Sequence, residues 1–191
     1  MGGTQLSLNN GTYSETVWNN DTGATGGGCS AFVPAPAWQQ AAAAGLGNPC
    51  PAQRMENDLA AAADDLSVYD TADRYLPLPG LGVGWIPPVG GTSASAPLIA
   101  GMIGLGASGT PITPAALYTA PPSDFHDVTS GSNGDCYFMC TAGPGYDGPT
   151  GLGTPNGIAR SWRHRNARGT GARDGSGAQP LCGGWRAITL R

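Results

Sequence analysis

The stretch Gly90-Gly91-Thr92-Ser93-Ala94-Ser95-Ala96-Pro97 sets hydroxyls in a Gly-led turn directly ahead of an apolar run. A Ser placed there meets the positive end of a helix dipole and main-chain N–H groups that the helix leaves unpaired. Both favour the negative charge that develops on oxygen during acyl transfer. The small neighbours leave room for a peptide backbone. The same placement also suits a plain N-cap, a common fate of Ser before a helix, so local chemistry alone leaves Ser93 and Ser95 open between nucleophile and cap.

A second set of residues has the chemistry of a hard cation site. Asp127 and Asp147 are separated by a segment rich in Gly, Ser and Asn, and Gly143 and Gly145 lie just before the second Asp. Calcium takes several oxygen ligands, and Gly lets main-chain carbonyls turn inward without a side-chain clash. No EF-hand pattern is present, and two isolated Asp are also what a solvated acidic loop looks like. The five Cys, at 29, 50, 136, 140 and 182, lack paired C-x-x-C spacing and, with two His, make a poor zinc set. Disulfides fit better. Cys136 and Cys140 are close enough in sequence to close a small loop, Cys29 and Cys50 form a candidate second bridge, and Cys182 is left over. Such pairing implies an oxidising compartment.

The elements that must position these groups read as α/β. Residues 2–8 form a short strand that turns at Asn9-Asn10-Gly11 into a hairpin. Segment 19–30 reads as loop, and Phe32, Val33 and Trp38 as an extended stretch that buries its aromatics. A short helix starts in Ala41–Ala44, and Leu66-Ser67-Val68-Tyr69 and the run into Trp85-Ile86 read as strands. Residues 94–107 are almost wholly apolar and predict a buried helix that tolerates Pro97 in its first turn. Strands separated by helices favour α/β over all-β. Two G-x-G-x-x-G matches, at Gly104 and Gly143, lack the strand-to-helix setting of a dinucleotide site and are chance in so Gly-rich a chain.

Composition bounds the rest. Gly (32) and Pro (17) make about a quarter of the 191 residues, which excludes coiled coils and long bundles. No apolar run approaches the roughly 18–20 residues of a membrane span, so no membrane partner is expected. Residues 1–158 carry twelve acids against two Arg, net −10, and 159–191 carry seven Arg against one Asp, net +6; together they give −4, and the chain has no Lys. The Arg-rich tail resembles an anion-binding segment by charge, but it lacks any apolar period. Its abrupt change of character reads as sequence foreign to the preceding fold, out of frame or without fixed structure, so no nucleic-acid partner is expected. The first residues show neither a basic n-region nor an apolar h-region, so no secretory signal is expected in this chain.

The string GGTSASAP resembles the nucleophile signature of the serine-carboxyl peptidases, the sedolisin and kumamolisin family. Further segments resemble the family in the right order: Gly2-Gly3-Thr4, Glu15 to Asn19, Gly26-Gly27-Gly28-Cys29-Ser30, Pro36-Ala37-Trp38-Gln39, Phe125-His126-Asp127-Val128-Thr129, Ala142 to Asp147, and Thr150-Gly151-Leu152-Gly153. The resemblance covers about residues 2–158. It implies an α/β, subtilisin-like parallel sheet with flanking helices, present only in part, and a serine-type endopeptidase that acts on protein or peptide substrates through an acyl-enzyme. Ser93 aligns with the nucleophile and Ser95 does not. One structural calcium ion is implied on the side chains of Asp127 and Asp147 and the carbonyls of Val128, Gly143 and Gly145. The complete enzyme is implied to be extracellular.

The family's base Glu, its orienting Asp and its oxyanion Asp all fall upstream of the position matching Gly2, and Glu15 is not that base. His126 precedes a supposed calcium ligand and reads as structural. Without an activated base a Ser hydroxyl is a weak nucleophile, so this chain is expected to be weak or inactive alone. The rival reading is a non-catalytic remnant that serves as a calcium-stabilised binding module.

Overall fold

A computed structural model describes residues 1–71, 84–106 and 112–157. The expected tail, 159–191, and Cys182 lie outside the described residues. In chain order the elements are β1 (Gly2–Asn9), β2 (Thr12–Val17), β3 (Asn19–Asn20), β4 (Gly23–Ala24), β5 (Cys29–Pro34), α1 (Ala37–Ala42), β6 (Gln53–Met55), β7 (Ala60–Ala62), β8 (Leu66–Asp70), β9 (Gly84–Val89), α2 (Thr92–Gly106), α3 (Pro114–Tyr118), β10 (Phe125–His126) and β11 (Thr154–Pro155).

The hairpin forms where the Asn-Gly pair places it. Asn10 and Gly11 have φ of 51° and 79°, the pair of positive values a type I′ turn requires. β1 and β2 then pair antiparallel from Thr4↔Val17 to Asn9↔Thr12. On its other edge β1 pairs parallel with β7, Gly2↔Ala60 through Thr4↔Ala62. Glycine is needed here for closeness: a Cβ on Gly3 would stand 2.6 Å from the Cβ of Ala63. The sheet is therefore mixed, β2-β1-β7, and the parallel character expected of a subtilisin-like layer resides in one pair. The other pairs, β3·β4, β5·β6, β8·β9 and β10·β11, are antiparallel.

Helix α2 packs on β7 and β1, and Ile99 joins Leu59, Ala61 and Leu117 in one core. A second core gathers Ala43, Cys50, Met55, Met139 and Tyr146. Gln39, fully buried, stitches this second core: its Nε2 donates to Met55 O (2.9 Å), Tyr118 Oη (3.3 Å) and Tyr146 Oη (3.2 Å), and its Oε1 accepts from Met55 N (2.8 Å). Both expected disulfides are present, Cys29–Cys50 and Cys136–Cys140, with Cα separations of 5.6 and 5.1 Å.

Several expectations are corrected. Segment 19–30 is not all loop, since β3 and β4 pair within it and β5 begins at Cys29. The short helix begins at Ala37, not Ala41. Phe32 is 94% exposed rather than docked, because β5 pairs with β6 on one edge and no described layer covers its outer face. The apolar helix is only half buried: Ile99 is enclosed, while Leu98 and Leu105 are 46% and 76% exposed. One face of α2 meets the three-stranded sheet and Leu117, and its outer stripe, with Leu98 and Leu105, stays largely exposed among the described residues. Pro97 falls one turn deeper than expected, because the helix already starts at Thr92.

Candidate active site and acidic loop

Gly91 (φ 98°) turns the chain into α2; its N–H donates to Ala63 O at 2.6 Å and its carbonyl accepts from Ala94 N at 2.9 Å. Thr92 and Ser93 thus occupy the first turn, where main-chain N–H groups have no helical acceptor. Ser93 is exposed, and its hydroxyl makes no hydrogen bond to any carboxylate or imidazole among the described residues. It is not the N-cap, which is Gly91. Pro97, four residues on, has no N–H to give to the Ser93 carbonyl. Ser95, by contrast, is fully buried and donates to Ala61 O (3.0 Å) and Ala62 O (3.2 Å). The two serines separate cleanly: Ser95 ties α2 to β7, and Ser93 presents a free hydroxyl.

Glu15 and His126 do not complete Ser93. The Glu15 carboxylate accepts hydrogen bonds from Thr4 Oγ1 and, at 2.7 Å, from Thr154 Oγ1, tying β2 to β1 and β11. His126 pairs with Thr154 in β10 and β11. The Glu15 carboxylate is thus engaged in ties between strands, and neither group hydrogen-bonds Ser93 among the described residues.

The structure does bring Asp127 and Asp147 onto one loop system. Asp147 is 2% exposed. Its Oδ2 accepts from Gly143 N at 3.0 Å and its Oδ1 from Thr150 N and Oγ1, both at 2.8 Å. Asp127 is exposed, and its Oδ2 accepts from Gly145 N at 2.9 Å. Burial pushes the Asp147 carboxyl up to about 6; the hydrogen bonds from Gly143 and Thr150 oppose this, and the charge of Asp127 adds to it. The segment between, with its Cys136–Cys140 bridge, folds on itself through Asn133 N to Cys140 O (2.9 Å) and Ala142 N to Gly131 O (3.0 Å), which leaves Asp127 and Asp147 at its neck.

These residues fit a hard cation through main-chain oxygens more than through side chains. No group of three or more His, Cys, Asp or Glu side chains lies together among the described residues. The carbonyls of Val128, Gly143 and Gly145 accept no main-chain hydrogen bond among the described residues, and the charge of Asp127 disfavours that of Asp147.

Sequence reading missed two clusters. Arg54 pairs with Asp58, which also accepts from Tyr118 Oη at 2.7 Å, while Arg54 lies 5.0 Å over the Trp38 ring. Asp64 and Asp65, at the end of β7, line a cleft with Trp18 and Gly91. The charged residues of each are near in sequence, but the partners that complete them, Trp38 and Tyr118 in one and Trp18 and Gly91 in the other, come from distant segments that no spacing rule joins.

No family model matches the chain. Among curated proteins it is 38% identical to kumamolisin from Bacillus sp. strain MN-32 over 82% of this chain and 29% of that protein. It is 31% identical to sedolisin from Pseudomonas sp. strain 101 over 81% and 26%, and 34% identical to xanthomonalisin from Xanthomonas sp. strain T-22 over 81% and 20%. A solved structure of Pseudomonas sedolisin, described as a serine-carboxyl proteinase complexed with two molecules of pseudo-iodotyrostatin, superposes with a TM-score of 0.60 at 32% identity, over 81% of this chain and 42% of that one. The chain belongs to the sedolisin family and has part of its α/β fold. It spans under a third of the length of these curated relatives.

Proposed function

We propose that the chain is the Ser-bearing part of a serine-type endopeptidase domain whose nucleophile is Ser93. The observation that carries this reading is the separation of the two serines: the free, exposed hydroxyl is the one on the first turn of α2, where unpaired N–H groups and the helix dipole favour developing negative charge. In the reaction Ser93 Oγ bonds to the carbonyl carbon of a peptide as its proton passes to a base, and the amide C–N bond then breaks, leaving an acyl-enzyme and a free amine. No described residue hydrogen-bonds Ser93 as that base. The family's Glu, orienting Asp and oxyanion Asp match no residue here, and activity of this chain alone is weak or absent. Substrates are proteins or peptides, and the working compartment is extracellular, in keeping with the two disulfides.

A structural calcium ion belongs to the same reading. Asp127 and Asp147 would hold it together with the carbonyls of Val128, Gly143 and Gly145, and its charge would relieve the repulsion between the two carboxylates. The rival, a calcium-stabilised binding module without catalysis, is favoured by one observation, the absence of a hydrogen-bonded base at Ser93. A fluorophosphonate probe separates the two. The chain alone labels poorly, and the chain expressed in one polypeptide with a segment carrying the missing carboxylates labels at Ser93 in a manner that Ser93→Ala abolishes. Labelling unchanged by Ser93→Ala would sink the peptidase reading.

A further inference from the structure

Gly90 and Gly91 form one wall of a cleft of about 260 Å³ whose other walls are Trp18, Thr22, Asp64 and Asp65. The hydrogen bond from Gly91 N to Ala63 O joins the acidic wall to the turn that carries Ser93. Asp65 sits at φ 54° and is exposed. Asp64 Oδ2 accepts from Asn20 Nδ2 at 2.8 Å, and its Oδ1 accepts nothing among the described residues. No cation answers these carboxylates there: the chain has no Lys, and Arg54, the one Arg among the described residues, is paired with Asp58. Trp18 is 7% exposed, and its buried Nε1 has no hydrogen-bond partner, a donor that is costly to leave unpaired.

We infer that this cleft receives the side chain of a Lys or Arg residue in the peptide bound across Ser93, its cation between Asp64 and Asp65 and against the Trp18 ring. A basic residue brings what these walls lack. Its charge answers two carboxylates that have no cationic partner among the described residues, and its aliphatic stem packs on an aromatic wall. An acidic side chain at the same point is repelled, so the cleft discriminates by repulsion as well as attraction. The inference takes its setting from the Ser93 reading, but its specificity rests on Asp64, Asp65 and Trp18.

Fluorescence anisotropy of the whole chain with a labelled Arg-containing tetrapeptide amide, against its citrulline isostere, separates charge from shape. The Arg peptide binds about fivefold more tightly at low salt, as expected of a partly exposed ion pair, and the preference fades in about 0.5 M salt. The double variant Asp64→Asn, Asp65→Asn removes it. Asp65→Asn alone changes an exposed position whose positive φ suits Asn, so it preserves the fold and lowers the preference by itself. Ser93→Ala leaves the preference intact. Equal binding of the two peptides, or an Arg preference that survives both Asp changes, overturns the inference. An Arg preference together with a Ser93 that stays unreactive even when the chain is joined to a segment carrying the missing carboxylates supports the cleft and discards the peptidase reading; a Ser93 reactive in that joined form but a chain indifferent to Arg does the reverse.

Discussion

The Asp127–Asp147 loop, which meets β2 and β3, and helix α2, which packs on β7 and β1, treat their surfaces in opposite ways. The loop closes on itself. Asp147 accepts from Gly143 and from Thr150 twice, Asp147 and Gly151 exchange main-chain hydrogen bonds at 3.1 and 3.0 Å, and Asn57 Nδ2 reaches Gly26 O, Gly148 O and Pro149 O at 2.8 to 3.1 Å. Helix α2 anchors one stripe through Ile99 and Ser95 and leaves Leu98 and Leu105 exposed. Polar loops can be satisfied by their own neighbours, because a hydrogen bond needs a single well-placed partner. An apolar helix needs layers on every face it hides. Among the described residues the contrast therefore sets an open apolar face on α2 against a loop that satisfies most of its own polar groups.

The largest test of the loop side is Gln39→Ala, which strands the Met55 N–H and carbonyl inside the second core. It should lower the unfolding free energy by about 3 kcal/mol in urea titrations of the whole chain, and a loss below about 1 kcal/mol would show that this core is not a unit. Next comes calcium. At about 100 times its dissociation constant it should add about 2.7 kcal/mol, and Asp147→Asn should remove most of that gain; an unchanged melting midpoint in the parent chain would eliminate the site.

A smaller effect follows from the acidity of Asp147 in calcium-free buffer. Its folded value of about 6 lies above the ordinary carboxyl value of 3.8, so across that window the folded state keeps a proton the unfolded state has lost. Stability from this group therefore falls as pH rises from about 4 to about 6 and is flat above. Asp147→Asn should flatten that slope, which urea midpoints at successive pH values would reveal. The smallest effect on stability belongs to the open side. Leu98→Gln with Leu105→Gln should change unfolding by about 0.5 kcal/mol or less while clearly reducing hydrophobic-dye binding and association. If the double change instead unfolded the chain, the exposed face of α2 would have a covering the described residues do not show.

The legible parts were those fixed by a few neighbouring residues. Asn10-Gly11 specified its hairpin because only those types take two positive φ values cheaply. The Gly-led turn before residues 94–107 specified a helix start with a hydroxyl on it, and short spacing specified the Cys136–Cys140 bridge. What was misread depended on what lay opposite. Phe32 and Leu105 are apolar enough to be buried, and they are exposed because no layer among the described residues faces them. The helix 94–107 was placed almost correctly and its burial was not, since an all-round apolar pattern carries no information on whether partners exist.

Sequence by itself determined the turn chemistry, the apolar character of α2, the two carboxylates of the loop and the family they belong to, since each is written in residue types at short or fixed spacing. Tertiary structure alone decided which serine is free, because that depends on β7 carbonyls more than thirty residues away that capture Ser95 and leave Ser93 unbound. It also decided that Asp64 and Asp65 share a cleft with Trp18. Charge at a site is set by distance through space, and chain separation does not encode that distance until strands pair and bring the segments together.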